Sequence, residues 1–166
     1  MNSQANRIYA TYSGSNSLLV IDGDTNAVVT TIPLGGQRDD VAVNPATDRI
    51  YAICDNNVAV IDGATNAIMD TVSGLGAMDD LAVNPWTNRI YINGISEIHV
   101  MTGATNNLVA TVSDLPSIWD LAVNPQTGRV YVTHSMDDIV SVIQDVAGPP
   151  PTYSVCLPII MKKAAP

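Results

Sequence analysis

Aspartate recurs at one place in successive copies of a repeated sequence. Asp40, Asp80 and Asp120 stand 40 residues apart, so equal structural units would set their carboxylates in an arc. Carboxylate oxygens suit divalent cations such as calcium, and a metal-binding or small-ligand site is therefore one hypothesis. We favour the alternative that each carboxylate accepts hydrogen bonds from backbone N–H groups in its own turn, the usual role of aspartate there. We expect neither a bound metal nor another cofactor.

His134 is the second residue with chemical potential, because Asp137 and Asp138 follow it closely. A histidine beside a carboxylate could act as a general base, but catalysis also needs a nucleophile or an oriented substrate. The sequence offers neither in a recognisable arrangement. We therefore expect no catalytic residues and no enzymatic activity, and a lyase-like enzyme is the least favoured alternative.

Two tryptophans and a series of arginines could contact partners. Trp86 and Trp119 occupy variable positions of the repeat, and exposed tryptophans often mark contact surfaces, although packing over a neighbouring turn is an equally good interpretation. Arg49, Arg89 and Arg129 each stand once per repeat at the start of a predicted strand. That placement indicates a tie between blades, to Asp62 or to a neighbouring turn, rather than a ligand-binding series.

Composition excludes several classes of partner. The formal net charge of −9, from 16 acidic and seven basic residues, disfavours nucleic acid, because binding it needs a basic stripe. Cys54 and Cys156 lack metal-ligand spacing, and whether they form a disulfide stays open. No stretch approaches the roughly 18 apolar residues of a membrane span. The N-terminus lacks the charged-then-apolar pattern of a signal peptide.

Internal repetition determines the expected fold. The segment at 44–51 recurs at 84–91 and 124–131, and a partial leading copy begins at Asn6. Each unit contains short runs rich in Val and Ile, separated by turn formers. In the second unit the predicted strands are Asp40–Asn44, Arg49–Cys54, Asn57–Asp62 and Ala67–Val72. Four strands in about 40 residues is typical of a β-propeller blade, so we predict an all-β fold of four-stranded antiparallel blades.

One further prediction concerns the turns between third and fourth strands. Gly23, Gly63 and Gly103 should lie in these turns and adopt a positive φ.

The run from Arg7 to Gly23, with the later Asp-Gly-Ala-Thr-Asn turn, resembles the consensus of YVTN-family β-propellers, found in surface-layer and related extracytoplasmic proteins. The resemblance covers about residues 6–146. It implies a cell-surface or extracellular scaffold or protein-interaction module. In such a propeller, the start of the first strand and the turn between second and third strands share one face. The expected rim residues on that face are Asp40, Asp80, Trp119, Asp120, His134, Asp137 and Asp138.

The chain holds only about 3.5 to 4 blades, fewer than the ring of about seven usual for this family. We assign residues 1–147 to the blades and 148–166 to a Pro-rich linker with a strand-like tail. Pro158 places that strand at a sheet edge, in the last blade of its own chain or in a second copy. We expect a homodimer that completes a ring of about eight blades. A head-to-tail filament, a closed four-bladed single chain and a protein or glycan partner are the alternatives.

Overall fold

The computed structural model describes residues 1–12, 14–36, 40–136, 138–145 and 155–159, with the backbone alone for the last range. Within these ranges the chain folds into four antiparallel sheets and contains no helix long and apolar enough to span a membrane.

The sheets follow one another along the chain. Within each sheet, the strands that pair with each other are consecutive in the sequence. The first sheet has three strands, β1 Arg7–Ala10, β2 Ser17–Asp22 and β3 Val28–Pro33. The second comprises β4 Val41–Asn44, β5 Arg49–Cys54, β6 Asn57–Asp62 and β7 Ile68–Ser73. The third comprises β8 Leu81–Asn84, β9 Arg89–Asn93, β10 Ile98–Thr102 and β11 Leu108–Val112. The fourth comprises β12 Ile118–Asn124, β13 Arg129–His134, β14 Val140–Gln144 and β15 Val155–Ile159.

The predicted strands of the second unit are confirmed. Two coincide with β5 and β6, β4 begins one residue later than predicted, and β7 both begins and ends one residue later. The strand-like tail is also confirmed at a sheet edge, because β15 pairs with β14 of its own chain and forms the outer strand of the fourth sheet. The Pro-rich linker that begins at residue 148 lies outside the described residues as far as residue 154.

The turn glycines lie where expected, but their predicted positive φ is wrong. Asn26, Asn66 and Asn106 hold the left-handed conformation in these turns, with φ of 56°, 59° and 59°. Glycine is required instead because a side chain of a neighbouring turn occupies the space that a Cβ would need. A Cβ on Gly63 would lie 2.2 Å from Oδ1 of Asp48, and the same holds for Gly23 against Asn6.

Three hydrophobic clusters lie between successive sheets, so the sheets stack face to face as propeller blades do. The cluster between the first and second sheets includes Tyr9 and Ile50. The next includes Tyr51 and Ile90, and the last includes Tyr91 and Val130. In every case a tyrosine of one sheet packs toward the following sheet. The described residues form no such cluster between the first and fourth sheets, and so do not form a closed four-bladed ring.

Asparagine amides tie neighbouring sheets together at the end where the first strand of a blade turns into the second, here called the lower face. Nδ2 of Asn44 donates to Oδ1 of Asn88 at 2.8 Å. Nδ2 of Asn2 donates to Oδ1 of Asp48 at 2.6 Å. Nδ2 of Asn84 donates to Oδ2 of Asp145 at 3.0 Å. The donors all stand five residues before the arginine of their unit, so Asn2 belongs to the leading copy, which begins earlier than the sequence motif indicated.

Arginines add a second tie on the lower face, as predicted for Arg49 and Arg89. The guanidinium of Arg49 donates to the carbonyl oxygen of Gly103 in the next sheet. Arg89 forms an ion pair with Asp145, whose side chain is fully buried. Because the partner lies one sheet further along, these arginines hold the stack of blades together.

Candidate functional site

The expected arc of carboxylates is present at the opposite end of the sheets. This upper face is formed by the starts of β4, β8 and β12 and by the turns between second and third strands. Oδ2 of Asp40 accepts from the N–H of Leu81 at 3.0 Å. Oδ2 of Asp80 accepts from the N–H of Leu121 at 2.8 Å. Asp40 and Asp80 therefore each cap the first strand of the next sheet, which corrects the expectation that these two carboxylates serve their own turns.

Asp80 lies between Asp40 and Asp120 and is hydrogen-bonded to both. Partial burial, followed by these two carboxyl contacts, raises the pKa of Asp80 to about 8, although the bond from Leu121 opposes the change. At neutral pH, Asp80 is therefore mainly protonated, and its proton can be shared with a neighbouring carboxylate. This favours a structural role for the hydrogen-bonded row Asp40, Asp80 and Asp120, here called the carboxyl ladder, over a site that concentrates negative charge.

No group of three or more His, Cys, Asp or Glu side chains is placed to hold a metal ion within the described part of the chain. Asp40 and Asp80 of the carboxyl ladder instead each accept a hydrogen bond from a backbone N–H group of the next sheet.

His134 is buried at the end of β13, and both ring nitrogens have partners. Nδ1 lies 3.0 Å from the carbonyl oxygen of Pro116, and Nε2 lies 2.9 Å from Oγ of Ser141. His99, in β10 of the third sheet, also has a partner at each ring nitrogen: Nδ1 lies 3.2 Å from Oγ1 of Thr111, and Nε2 lies 3.1 Å from the carbonyl oxygen of Leu75. Asp138 is exposed in the following turn, and Asp137 lies outside the described residues. Each histidine therefore links its own sheet to the segment that precedes that sheet.

Trp119 is 73% exposed at the start of β12, beside Asp120. Three more exposed apolar side chains lie at the same end of the sheets, in the turns between second and third strands: Tyr12, Ile95 and Met136. Sequence reasoning identified Trp119 but missed the other three, whose signal is an apolar residue within an otherwise polar turn. Trp86 is also exposed, on the lower face.

The outer faces of the first and fourth sheets lack the burial seen at the internal junctions. Tyr51 and Tyr91 are 0% exposed where they meet the next sheet, whereas Tyr131, at the same register in β13, is only partly buried. Ile50 and Ile90 are 0% exposed where they meet the preceding sheet. Their counterpart in the first sheet, Ile8, is only partly buried.

The polar ties also stop at the ends. Asn124 occupies the same position in the fourth sheet as Asn44 and Asn84 do in the second and third. Each of these asparagines lies opposite the arginine of the adjacent strand in its own sheet. Arg129 itself is exposed. Within the described residues, neither its guanidinium nor Nδ2 of Asn124 has a hydrogen-bond partner of the kind that the internal junctions provide.

No known protein-family profile matches the chain, and no curated protein matches it. Solved structures do. A chain of the crystal structure of the mitotic checkpoint complex has a TM-score of 0.77 and 18% identity, over 93% of this chain and 49% of that one. Dihydro-heme d1 dehydrogenase NirN, solved in complex with DHE, has a TM-score of 0.75 and 14% identity, over 93% and 35%. A functionally unknown protein from Desulfotomaculum acetoxidans DSM 771 has a TM-score of 0.75 and 15% identity, over 84% and 47%.

These comparisons and the stacked antiparallel sheets define the class of the protein as a β-propeller. The chain spans less than half the length of each of the three solved chains, so it corresponds to a partial ring. At these identities the likeness shows the fold alone.

Proposed function

We propose that this chain is a non-enzymatic propeller scaffold for protein contacts, and that it completes its ring by pairing with a second copy. One observation carries the proposal: side-chain positions that are buried at every internal junction are only partly buried at both open ends. Apolar blade faces and free strand edges in water favour association. The partner must therefore present a blade face of matching pattern, and a second copy has one.

The absence of catalysis is part of the proposal. The best candidate base, His134, has both ring nitrogens occupied. The best candidate acids, Asp40 and Asp80, serve as caps for the next sheet. Turnover of a substrate by the intact chain, lost in His134→Ala, would contradict this part of the proposal.

A further partner would bind the upper face. Trp119, Tyr12, Ile95 and Met136 give that face large apolar side chains amid polar turns, a composition common in protein contacts and in sites that stack a sugar ring. A protein or glycan partner is consistent with that surface. Replacement of Trp119 by Ala should lower its affinity without lowering the melting temperature.

The proposed location is the cell surface or the extracellular space, in a YVTN-type structural protein. Its support is the resemblance of the repeat at Arg7–Gly23, Asp62–Asn66 and the strand starts. Immunolabelling of intact and permeabilised cells tests this location. A signal seen only after permeabilisation would contradict it.

Light scattering on the intact chain tests self-association. We expect a species of twice the 17.5 kDa chain mass that dissociates on dilution. Because β15 already pairs within its own chain, a chain ending at Gly148 should retain the same oligomeric state and lose thermal stability. A stable monomer from the intact chain would contradict the paired ring. Loss of pairing only after truncation would show that the tail instead latches the partner.

A further inference from the structure

We infer that the two copies meet in the same register as the internal junctions, with Asn124 of one copy donating to Asn6 of the second and Arg129 donating to the carbonyl oxygen of Gly23 of the second. This inference rests on the proposed self-association and specifies its contact. The fourth sheet of each copy would then pack on the first sheet of the other.

Asn124 has the geometry of an internal donor. Its Oδ1 accepts from the N–H of Thr127 at 3.2 Å, and Oδ1 of Asn44 and of Asn84 likewise accepts from the N–H groups of its own turn. In the internal cases this bond leaves Nδ2 directed at the next sheet. The turn therefore presents the amide of Asn124 to the open side of the fourth sheet.

Asn6 has the geometry of an internal acceptor. Its φ is 48°, against 51° for Asp48 and 52° for Asn88, the residues that accept from Asn2 and Asn44. Its carbonyl oxygen accepts from the N–H of Gly23 at 2.9 Å, as that of Asp48 accepts from Gly63 at 2.8 Å. The repeated turn thus places Oδ1 of Asn6 where a preceding sheet would supply a donor.

The contact made by arginine also has both its donor and its acceptor at the open ends, Arg129 and the carbonyl oxygen of Gly23. Arg49 reaches the carbonyl oxygen of Gly103, and Gly23 occupies the same position in the first sheet, just after the residue that pairs with the arginine of its own sheet. Arg129 is exposed at the end of the fourth sheet. A carbonyl oxygen accepts from a guanidinium whatever side chain surrounds it, so this tie needs only the correct register.

Apolar faces match in the same register. Tyr51 packs among Ile90 and Met101 of the next sheet. The equivalent set across the open ends is Tyr131 of one copy with Ile8 and Ile21 of the second, all partly buried in the single chain. Each copy carries one donor end and one acceptor end, so two copies related by a two-fold axis use every end once and close the ring.

The register is tested by placing a negative charge on each side of the proposed hydrogen bond between Asn124 of one copy and Asn6 of the second. Asn6→Asp keeps the acceptor, as Asp48 does internally, and should leave association unchanged. Asn124→Asp keeps the bond from Thr127, and Asn6 can turn its amide to donate to the new carboxylate. The double variant sets two carboxylates face to face at both junctions. Two lost hydrogen bonds, each worth about fivefold, lower its association constant by at least about 25-fold.

The double variant Asn6→Asp with Asn107→Asp is the matched control. It carries the same added charge, but Asn107 is exposed in the β10–β11 turn, so it should associate like the wild type. Analytical ultracentrifugation measures the dimer constant of each variant, and circular dichroism verifies that each folds.

The outcomes separate the inference from the proposed function. A dimer that weakens only when Asn6→Asp and Asn124→Asp are combined supports the inference. A dimer that the combination leaves intact overturns this register, while self-association stands. A wild-type chain that stays monomeric overturns both, and a ladder of larger species overturns ring closure.

Discussion

Replacing Asp80 by asparagine should change how stability depends on pH. Asp80 is half-buried between Asp40 and Asp120, and its pKa is raised to about 8 from the ordinary value of 3.8. Between these two pH values the folded chain holds a proton on Asp80 that the unfolded chain has released. Wild-type stability therefore loses a contribution as pH rises from about 4 to about 8. Asp80→Asn lacks that titration and keeps an oxygen for the N–H of Leu121.

The size of the effect follows from linkage. Each pKa unit corresponds to about 1.36 kcal/mol, and the full interval sets an upper limit that solvent screening reduces, because Asp80 is only partly buried. We expect the variant to gain about 2 kcal/mol relative to the wild type between pH 5 and pH 8, with the variant favoured at the higher pH.

Urea denaturation at a series of pH values, followed by circular dichroism at concentrations where the chain is monomeric, measures this difference. Asp24→Asn is the matched control, because Asp24 is exposed in the β2–β3 turn and should give a nearly constant difference from the wild type. If the difference between Asp80→Asn and the wild type is also constant over this range, the carboxyl ladder does not hold an extra proton and our account of it is incorrect.

Two further predictions concern the blade junctions and are measured by urea denaturation of the monomer. Gly63→Ala places a Cβ 2.2 Å from Oδ1 of Asp48 and should cost about 1–3 kcal/mol; wild-type stability would show that the turn moves freely. Arg89→Met leaves the buried carboxylate of Asp145 without its counter-ion and should cost about 3–5 kcal/mol. Arg129→Met, at the exposed end, should change stability by less than about 0.5 kcal/mol; equal losses in the two variants would contradict the role of the ion pair.

The sequence alone was sufficient for the blades. Strand bounds, their order and the turn positions depend on contacts within one unit of about 40 residues, and the repeated Val/Ile runs with Asp-Gly and Asn-Pro turns encode them locally. The position of the carboxylates in an arc followed from the same period. The outer position of β15 followed from Pro158, which suits an edge strand.

Only the tertiary structure decided which groups meet between blades. Asp40 caps Leu81 rather than its own turn, and Gly63 is required by the side chain of Asp48 rather than by a positive φ. A sequence period gives each residue its place within a blade, whereas these contacts depend on how far one blade rotates against the next. That rotation is set by the packing of whole sheets, and no local pattern encodes it.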